Sequence, residues 1–255
     1  MIKELIKIVK TLRRRCPWDR KQTLSSTRPL LLNEVYELDD ALRRRDKRAI
    51  IEELGDYLFM GFFLAAIMEE KNKVKLQDIL NGVIKKLKDR HPHIYGNVKV
   101  KDEFDVLRNW EKIKNKDAGR SLLSGIPVAL PALQQAQLIQ ERCRRVGFDW
   151  EDASAVLLKV EEELKELKAE LDDQRLKKWG AGEKIKEELG DLLFALVNLC
   201  RHLNVDAEGA LKDANLKFRN RFQRVEQELK KMGKPLTEAT LAEMETVWQQ
   251  VKNKK

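Results

Sequence analysis

An octet that occurs twice constrains this chain more than any other feature. Glu52-Glu53-Leu54-Gly55-Asp56-Tyr57-Leu58-Phe59 returns 135 residues later as Glu187-Glu188-Leu189-Gly190-Asp191-Leu192-Leu193-Phe194, identical at seven of eight positions. Self-similarity at that separation in a chain of 255 residues means two related units. Each octet follows a second acidic segment, Asn33-Glu34-Val35-Tyr36-Glu37 in the first half and Glu162-Glu163-Leu164-Lys165-Glu166 in the second, and these lie 129 residues apart. The six extra residues fall between the two acidic segments and predict a longer connection in the second unit, where loops absorb insertions.

Apolar residues recur at three- and four-residue spacing over 2–14, 28–45, 48–70, 76–90 and 103–116, and again over 131–145, 154–178, 183–203, 206–232 and 238–253. No strand-like alternation interrupts them, so the fold class is all-α, two related helical-bundle domains. Gly119, Gly125, Pro127 and Pro131 punctuate the stretch between the halves. The expected domains are therefore 1–117 and 131–255, joined by a linker at 118–130. The longest apolar run, Tyr57–Met68, has 12 residues, short of the ~20 that span a bilayer, and reads as a buried core helix. The N-terminal segment lacks a signal-peptide pattern, which makes a cytoplasmic location the expectation. Three widely spaced cysteines without a C-x-x-C pair point to reduced thiols rather than disulfides or a zinc knuckle. A net charge of +9 favours phosphate-bearing ligands without choosing among them, and no nucleic-acid recognition motif accompanies it.

The chemistry lies in the acidic segments. Residues three or four apart share a helix face, so Glu163 projects with Glu166, and Glu188 with Asp191 on the following helix. Carboxylates brought together repel one another and drift towards the protonated form unless a cation intervenes. Magnesium suits such a set, because it takes oxygen ligands and links protein carboxylates to substrate phosphates; manganese is an alternative. The flanking Leu189, Leu192, Leu193 and Phe194 suggest that this acidic face borders a core. Gly55 and Gly190 sit inside strongly helical patterns, where glycine costs about 1 kcal/mol relative to alanine, and suggest close helix approach or space for a ligand.

With these residues in view, the sequence resembles the MazG nucleoside triphosphate pyrophosphohydrolases, whose signature is EExxE on one helix and ExxD on the next. The resemblance spans nearly the whole chain. It takes in CPWD at 16–19, RPLLLNEVYEL at 28–38, both EELGD copies, KLKDRHPHIYG at 86–96, LRNWEKIK at 107–114, RVGFDW at 145–150, NLCRHL at 198–203 and ANLKFRNRF at 214–222. It implies a dimeric all-α enzyme that uses magnesium to convert nucleoside triphosphates, with broad base tolerance, to monophosphates and pyrophosphate. It also implies that the second copy is the main catalytic domain. That copy keeps EExxE in full as Glu162, Glu163 and Glu166, whereas the first has Asn33 in the leading position and a weaker candidate site in Glu34, Glu37, Glu53 and Asp56.

On this resemblance Glu163, Glu166, Glu188 and Asp191 are the expected metal ligands, and Glu162 is an outer ligand or the group that orients water. Lys217, Arg221, Trp248 and Lys252 are expected to contact substrate. Leu138 and Glu141 replace family lysines, a loss that Arg142 and Arg145 could offset. His91, Pro92 and His93 read as a helix stop rather than a metal site, and neither Cys16 nor His202 enters the site. The competing expectation is a non-catalytic helical module for dimerisation or partner binding.

Overall fold

The computed structural model describes residues 1–102, 105, 106, 109, 110, 113, 121–172 and 181–253. Among these all regular structure is helical, and the chain divides into two compact units, Met1–Ile113 and Lys114–Lys255.

The first unit contains α1 (Ile2–Arg15), α2 (Leu24–Arg44), α3 (Lys47–Asn72), α4 (Leu76–Arg90) and the single turn α5 (Pro92–Tyr95). α2 begins four residues before the predicted start. Thr23 accepts a hydrogen bond from the Ser26 backbone while the Thr23 backbone donates to the Ser26 hydroxyl, a reciprocal cap that carries the helix into Pro29. Only Arg45 and Asp46 separate α2 from α3. Arg45 takes the left-handed conformation and the Asp46 carboxylate caps the amides of Arg48 and Ala49, so the two helices fold back on each other as a tight pair. α4 stops at Arg90 and Pro92 opens the next turn, as the His-Pro-His pattern predicts.

The core of this unit joins Val9 of α1 to Phe63, Ala66 and Ile67 of α3. Arg13 is 4% exposed, and its guanidinium donates to the Glu70 carboxylate and to the backbone carbonyls of Asp19 and Gln22 while lying over the Phe63 ring. The apolar run of α3 is buried only in part. Met60, Phe63, Ala65, Ala66 and Ile67 are covered, but Tyr57 and Leu58 remain exposed because α1, α2 and α4 leave that side of α3 open. No helix among the described residues is long and apolar enough to cross a membrane.

The second unit contains α6 (Ala132–Arg144), α7 (Ala153–Asp172), α8 (Ala181–His202), α9 (Ala207–Lys231) and α10 (Leu241–Asn253). α7 and α8 form the counterpart of the α2–α3 pair, and eight residues, 173–180, separate them where two suffice in the first unit. The difference is the six-residue insertion read from the repeat offsets. α6 packs against α8, with the Gln140 amide donating to the Phe194 carbonyl at 2.8 Å. Gln137 spans the turn between α8 and α9 through the Val205 carbonyl and the Ala207 amide. α9 and α10 share a separate core of Val225, Leu229, Val247 and Val251. Arg142, 6% exposed, donates to the carbonyls of Leu122 and Ser124 and so ties the segment before α6 onto this unit.

Candidate functional site

Each helix pair brings three carboxylates together. Glu163 and Glu166 on α7 meet Glu188 on α8, with one oxygen from each lying within 4.8 Å of the others. In the first unit Glu34 and Glu37 on α2 meet Glu53 on α3 within the same limit. The i, i+3 spacing supplies two members of each trio, and the tight pairing of the helices supplies the third. Asp191 and Asp56 lie one helical turn beyond Glu188 and Glu53. They stand outside the two trios, but their charges act on them.

The electrostatics of the trios differ. Glu163 is buried at 6% exposure, and its carboxylate pairs with the Lys159 ammonium at 2.8 Å. Lys159 also pairs with Glu162 at 2.9 Å, and the bonds to Glu163 and Glu162 raise its pKa above the ordinary lysine range. Burial, then Glu166, Glu163, Asp191 and Glu170, push the Glu188 carboxyl up. In the first trio two members are raised. Burial followed by Glu37, Asp56 and Glu53 lifts Glu34; burial followed by Glu37, Asp56 and Glu52 lifts Glu53, with Arg44 as a partial offset. Lys159 escaped the sequence reading, although its place four residues before Glu163 is the ordinary spacing of a helical ion pair. At the matching position the first copy has Leu30.

Several sequence expectations are corrected. Leu189, Leu193 and Phe194 do not bury themselves beside the acidic face: each is more than 40% exposed, and the buried side of α8 is formed by Ala195, Val197 and Asn198. Gly55 and Gly190 do not mark close helix contacts, since a Cβ at either would meet nothing within 4 Å. Arg142 is committed to backbone carbonyls and Arg145 pairs with Glu141, so neither stands in for the missing lysines.

Lys217, Arg221 and Lys252 line one groove of about 400 Å³ between α9 and α10, together with Arg224. Trp248 is half-buried beside it, with the Arg221 guanidinium 4.9 Å from its ring centroid and Phe218 at 5.1 Å. The larger cavity of the unit, about 780 Å³, lies elsewhere, at the start of α7 and the end of α8. Its floor joins two motifs that sequence spacing left separate: Asp149 of RVGFDW accepts hydrogen bonds from Arg201 and from His202 of NLCRHL. Burial alone would raise Asp149, but the bonds from Arg201 and His202 prevail and hold it below the usual carboxylate range. This network fastens the loop before α7 to the end of α8, and so sets the pairing of the helices that carry the second trio.

Oxygen-only donor sets on paired helices suit hard divalent cations, and the mutual repulsion within each trio is what such a cation relieves. Fold and site thus define an all-α carboxylate protein equipped to hold metal. The chain belongs to the MazG nucleotide pyrophosphohydrolase family, whose domain model matches it twice, over residues 22–95 and 134–226. It is accordingly an enzyme of the hydrolase class. It is 43% identical to the nucleoside triphosphate pyrophosphohydrolase of Escherichia coli (strain K12) across 93% of this chain and 90% of that one. It is 39% identical to the nucleoside triphosphate pyrophosphohydrolase/pyrophosphatase MazG of Thermotoga maritima across 99% of this chain and 96% of its relative. A third relative, the uncharacterized protein YabN of Bacillus subtilis, is 40% identical over 93% of this chain and 48% of its own length.

Proposed function

We propose that this chain hydrolyses nucleoside triphosphates to nucleoside monophosphates and pyrophosphate, with magnesium as its metal and the second trio as its working centre. The observation that carries the reading is the convergence of Glu163, Glu166 and Glu188 within 4.8 Å in a chain of this family. Glu163, Glu166 and Glu188 would hold the cation, with Asp191 completing the set. When bound, magnesium supplies charge neutralisation at the phosphates and a more acidic water.

The remaining work falls to the chain's own groups. Glu162, exposed and paired with Lys159, is placed to orient water at the edge of the trio. Lys217, Arg221 and Lys252 supply positive charge for the phosphates, and Trp248 offers its ring to the base. Pyrophosphate leaves readily once its oxygens are neutralised, so positioning and charge compensation suffice without a protein nucleophile. An indole reads a base by its face rather than its edges, which fits broad base tolerance. The reading includes a homodimer in the cytoplasm, with the first copy serving mainly structure and dimerisation.

The test is product analysis. The protein is incubated with a panel of ribo- and deoxyribonucleoside triphosphates, with and without magnesium. Equal amounts of monophosphate and pyrophosphate, formed only with the metal, support the reading. Release of orthophosphate and diphosphate, or no magnesium-dependent product from folded protein, overturns it, and the second result favours a helical interaction module.

A further inference from the structure

We infer that the substrate site of the second copy is shared between two chains: one protomer contributes Glu163, Glu166 and Glu188, and the groove of Lys217, Arg221 and Lys252 that faces them belongs to the other. This rests on the pyrophosphohydrolase reading above and specifies how its two halves meet.

The first observation is electrostatic. The charges that act on Glu188 are all acidic, and the cation paired with Glu163 is Lys159 of its own helix. No base of α9 or α10 offsets the trio. A metal held by these carboxylates has its phosphate ligands at ~2 Å, so the cations that neutralise the same phosphates must stand beside the trio.

Packing gives the second observation. α9 rests on α10 and α6 and meets α8 only narrowly, and neither α9 nor α10 packs broadly on α7 among the described residues. The basic groove is walled entirely by α9 and α10, and no member of the trio lines it. Fourteen residues of helix separate Glu188 from the end of α8 at His202, a rise of about 21 Å, and α9 starts only after that turn.

The third observation is what surrounds the two faces. Leu157, Leu158, Leu164, Leu193 and Phe194 lie exposed on α7 and α8, Leu158 at 66%, while Leu211, Leu216 and Phe218 lie exposed on α9. Apolar area of this extent calls for cover. An acidic face with an apolar border and a basic groove with an apolar border, both on one unit, are complementary to each other. A second copy related by a two-fold axis satisfies both at once and generates two equivalent sites. The open space around Gly190, on the acidic helix, leaves room for the approach.

Complementation between full-length chains tests this. Glu163→Gln and Lys217→Ala/Arg221→Ala are co-expressed with different tags, and the mixed dimer is isolated through both. If the site is shared, each mixed dimer contains one intact site and one doubly defective site. It should hydrolyse at about half the wild-type kcat per dimer with unchanged KM, while either homodimer is nearly inactive. Lys217→Glu paired with Glu163→Gln repeats the test without altering Arg221 and its stacking on Trp248. A calorimetric count with a triphosphate analogue carrying an uncleavable α–β bridge should find one second-copy site per mixed dimer against two in the wild type. Active wild type with a mixed dimer no better than the sum of its parents overturns the shared site and leaves the proposed function standing, as does a wild type that is active as a monomer. Inactive wild type overturns the proposed function instead, and the binding count then still decides whether the site is shared.

Discussion

The two acidic trios sit on closely similar frames and differ in how their charge is balanced. In each, a glutamate pair on the first helix of a tight pair meets one glutamate on the second. In the second unit the buried member, Glu163, has the Lys159 ammonium against it, and only Glu188 of the trio is raised. In the first unit Leu30 stands where that lysine would be and Asn33 where Glu162 would be, and both Glu34 and Glu53 are raised. The copy that lacks the extra carboxylate also lacks the lysine that pairs with it. Duplication preserved the geometry, and substitutions one turn before each trio separated the electrostatics.

The largest expected effect follows from that difference. Glu163→Gln should lower magnesium-dependent pyrophosphate release by about 100- to 1,000-fold, the scale of removing one principal electrostatic contact from a reacting centre. Glu34→Gln, its counterpart, should change the rate by less than about two-fold. Steady-state rates on folded variants check both, and equal losses would break the assignment of the working centre to the second copy.

Next in size are the buried arginines at matching places before the two helix pairs, Arg13 and Arg142. Arg13→Met removes an ion pair with Glu70 and donors to two carbonyls, and should destabilise its unit by about 3 kcal/mol. Arg142→Met frees only the carbonyls of Leu122 and Ser124 and should cost about 2 kcal/mol. Denaturant unfolding measures the cost. Hydrogen exchange should show the Arg142 variant losing protection around residues 121–130 while the helix pairs keep theirs.

Much of this was legible in the sequence. Helical periodicity gave the all-α class, the duplicated octet gave the two units, and the two offsets gave the length of the insertion between α7 and α8. The acidic spacing put Glu163 with Glu166 because intrahelical neighbours follow from helix geometry alone. What stayed hidden depends on contacts between elements. Nothing local tells that Arg142 is buried beneath two carbonyls, or that Asp149 meets Arg201 and His202 across some fifty residues. The burial of Leu193 and Phe194 was misjudged for a related reason: an apolar stripe predicts that a face will be covered, but not which element covers it. The family resemblance supplied the roles of Lys217, Arg221, Trp248 and Lys252, which spacing by itself could not assign.

Lys159 tests the comparison more finely. Its ammonium must be displaced or shared when a divalent cation approaches Glu163, so Lys159→Met should tighten manganese binding at the second trio by about two- to five-fold, the range of a partly exposed ion pair. Leu30→Lys should weaken binding at the first trio by a similar factor. Manganese titrations followed by electron paramagnetic resonance, with Glu34→Gln or Glu163→Gln present to silence the other trio, separate the two. A looser second trio in Lys159→Met would show that the lysine organises the carboxylates for metal rather than competing with it.

The smallest effect concerns pH and has opposite signs in the two copies. Glu53 has a folded-state pKa above its unfolded value, so the folded protein binds this proton more tightly than the unfolded chain. The associated stability is fully present below the unfolded pKa of about 4.5 and is lost as pH rises through the folded pKa. At pH 7 without metal the ionised group therefore strains its unit, and Glu53→Gln should raise Tm slightly. That gain should shrink as pH falls through the carboxylate range and vanish once the wild-type group is protonated. Glu163→Gln should instead leave Tm unchanged or lower it at pH 7, because it removes the partner of Lys159 along with one negative charge. Thermal scans in chelator from pH 7 to pH 4 read both signs. A gain in Tm from both substitutions would mean that Lys159 does not relieve the second trio, and the electrostatic distinction between the copies would fall with it.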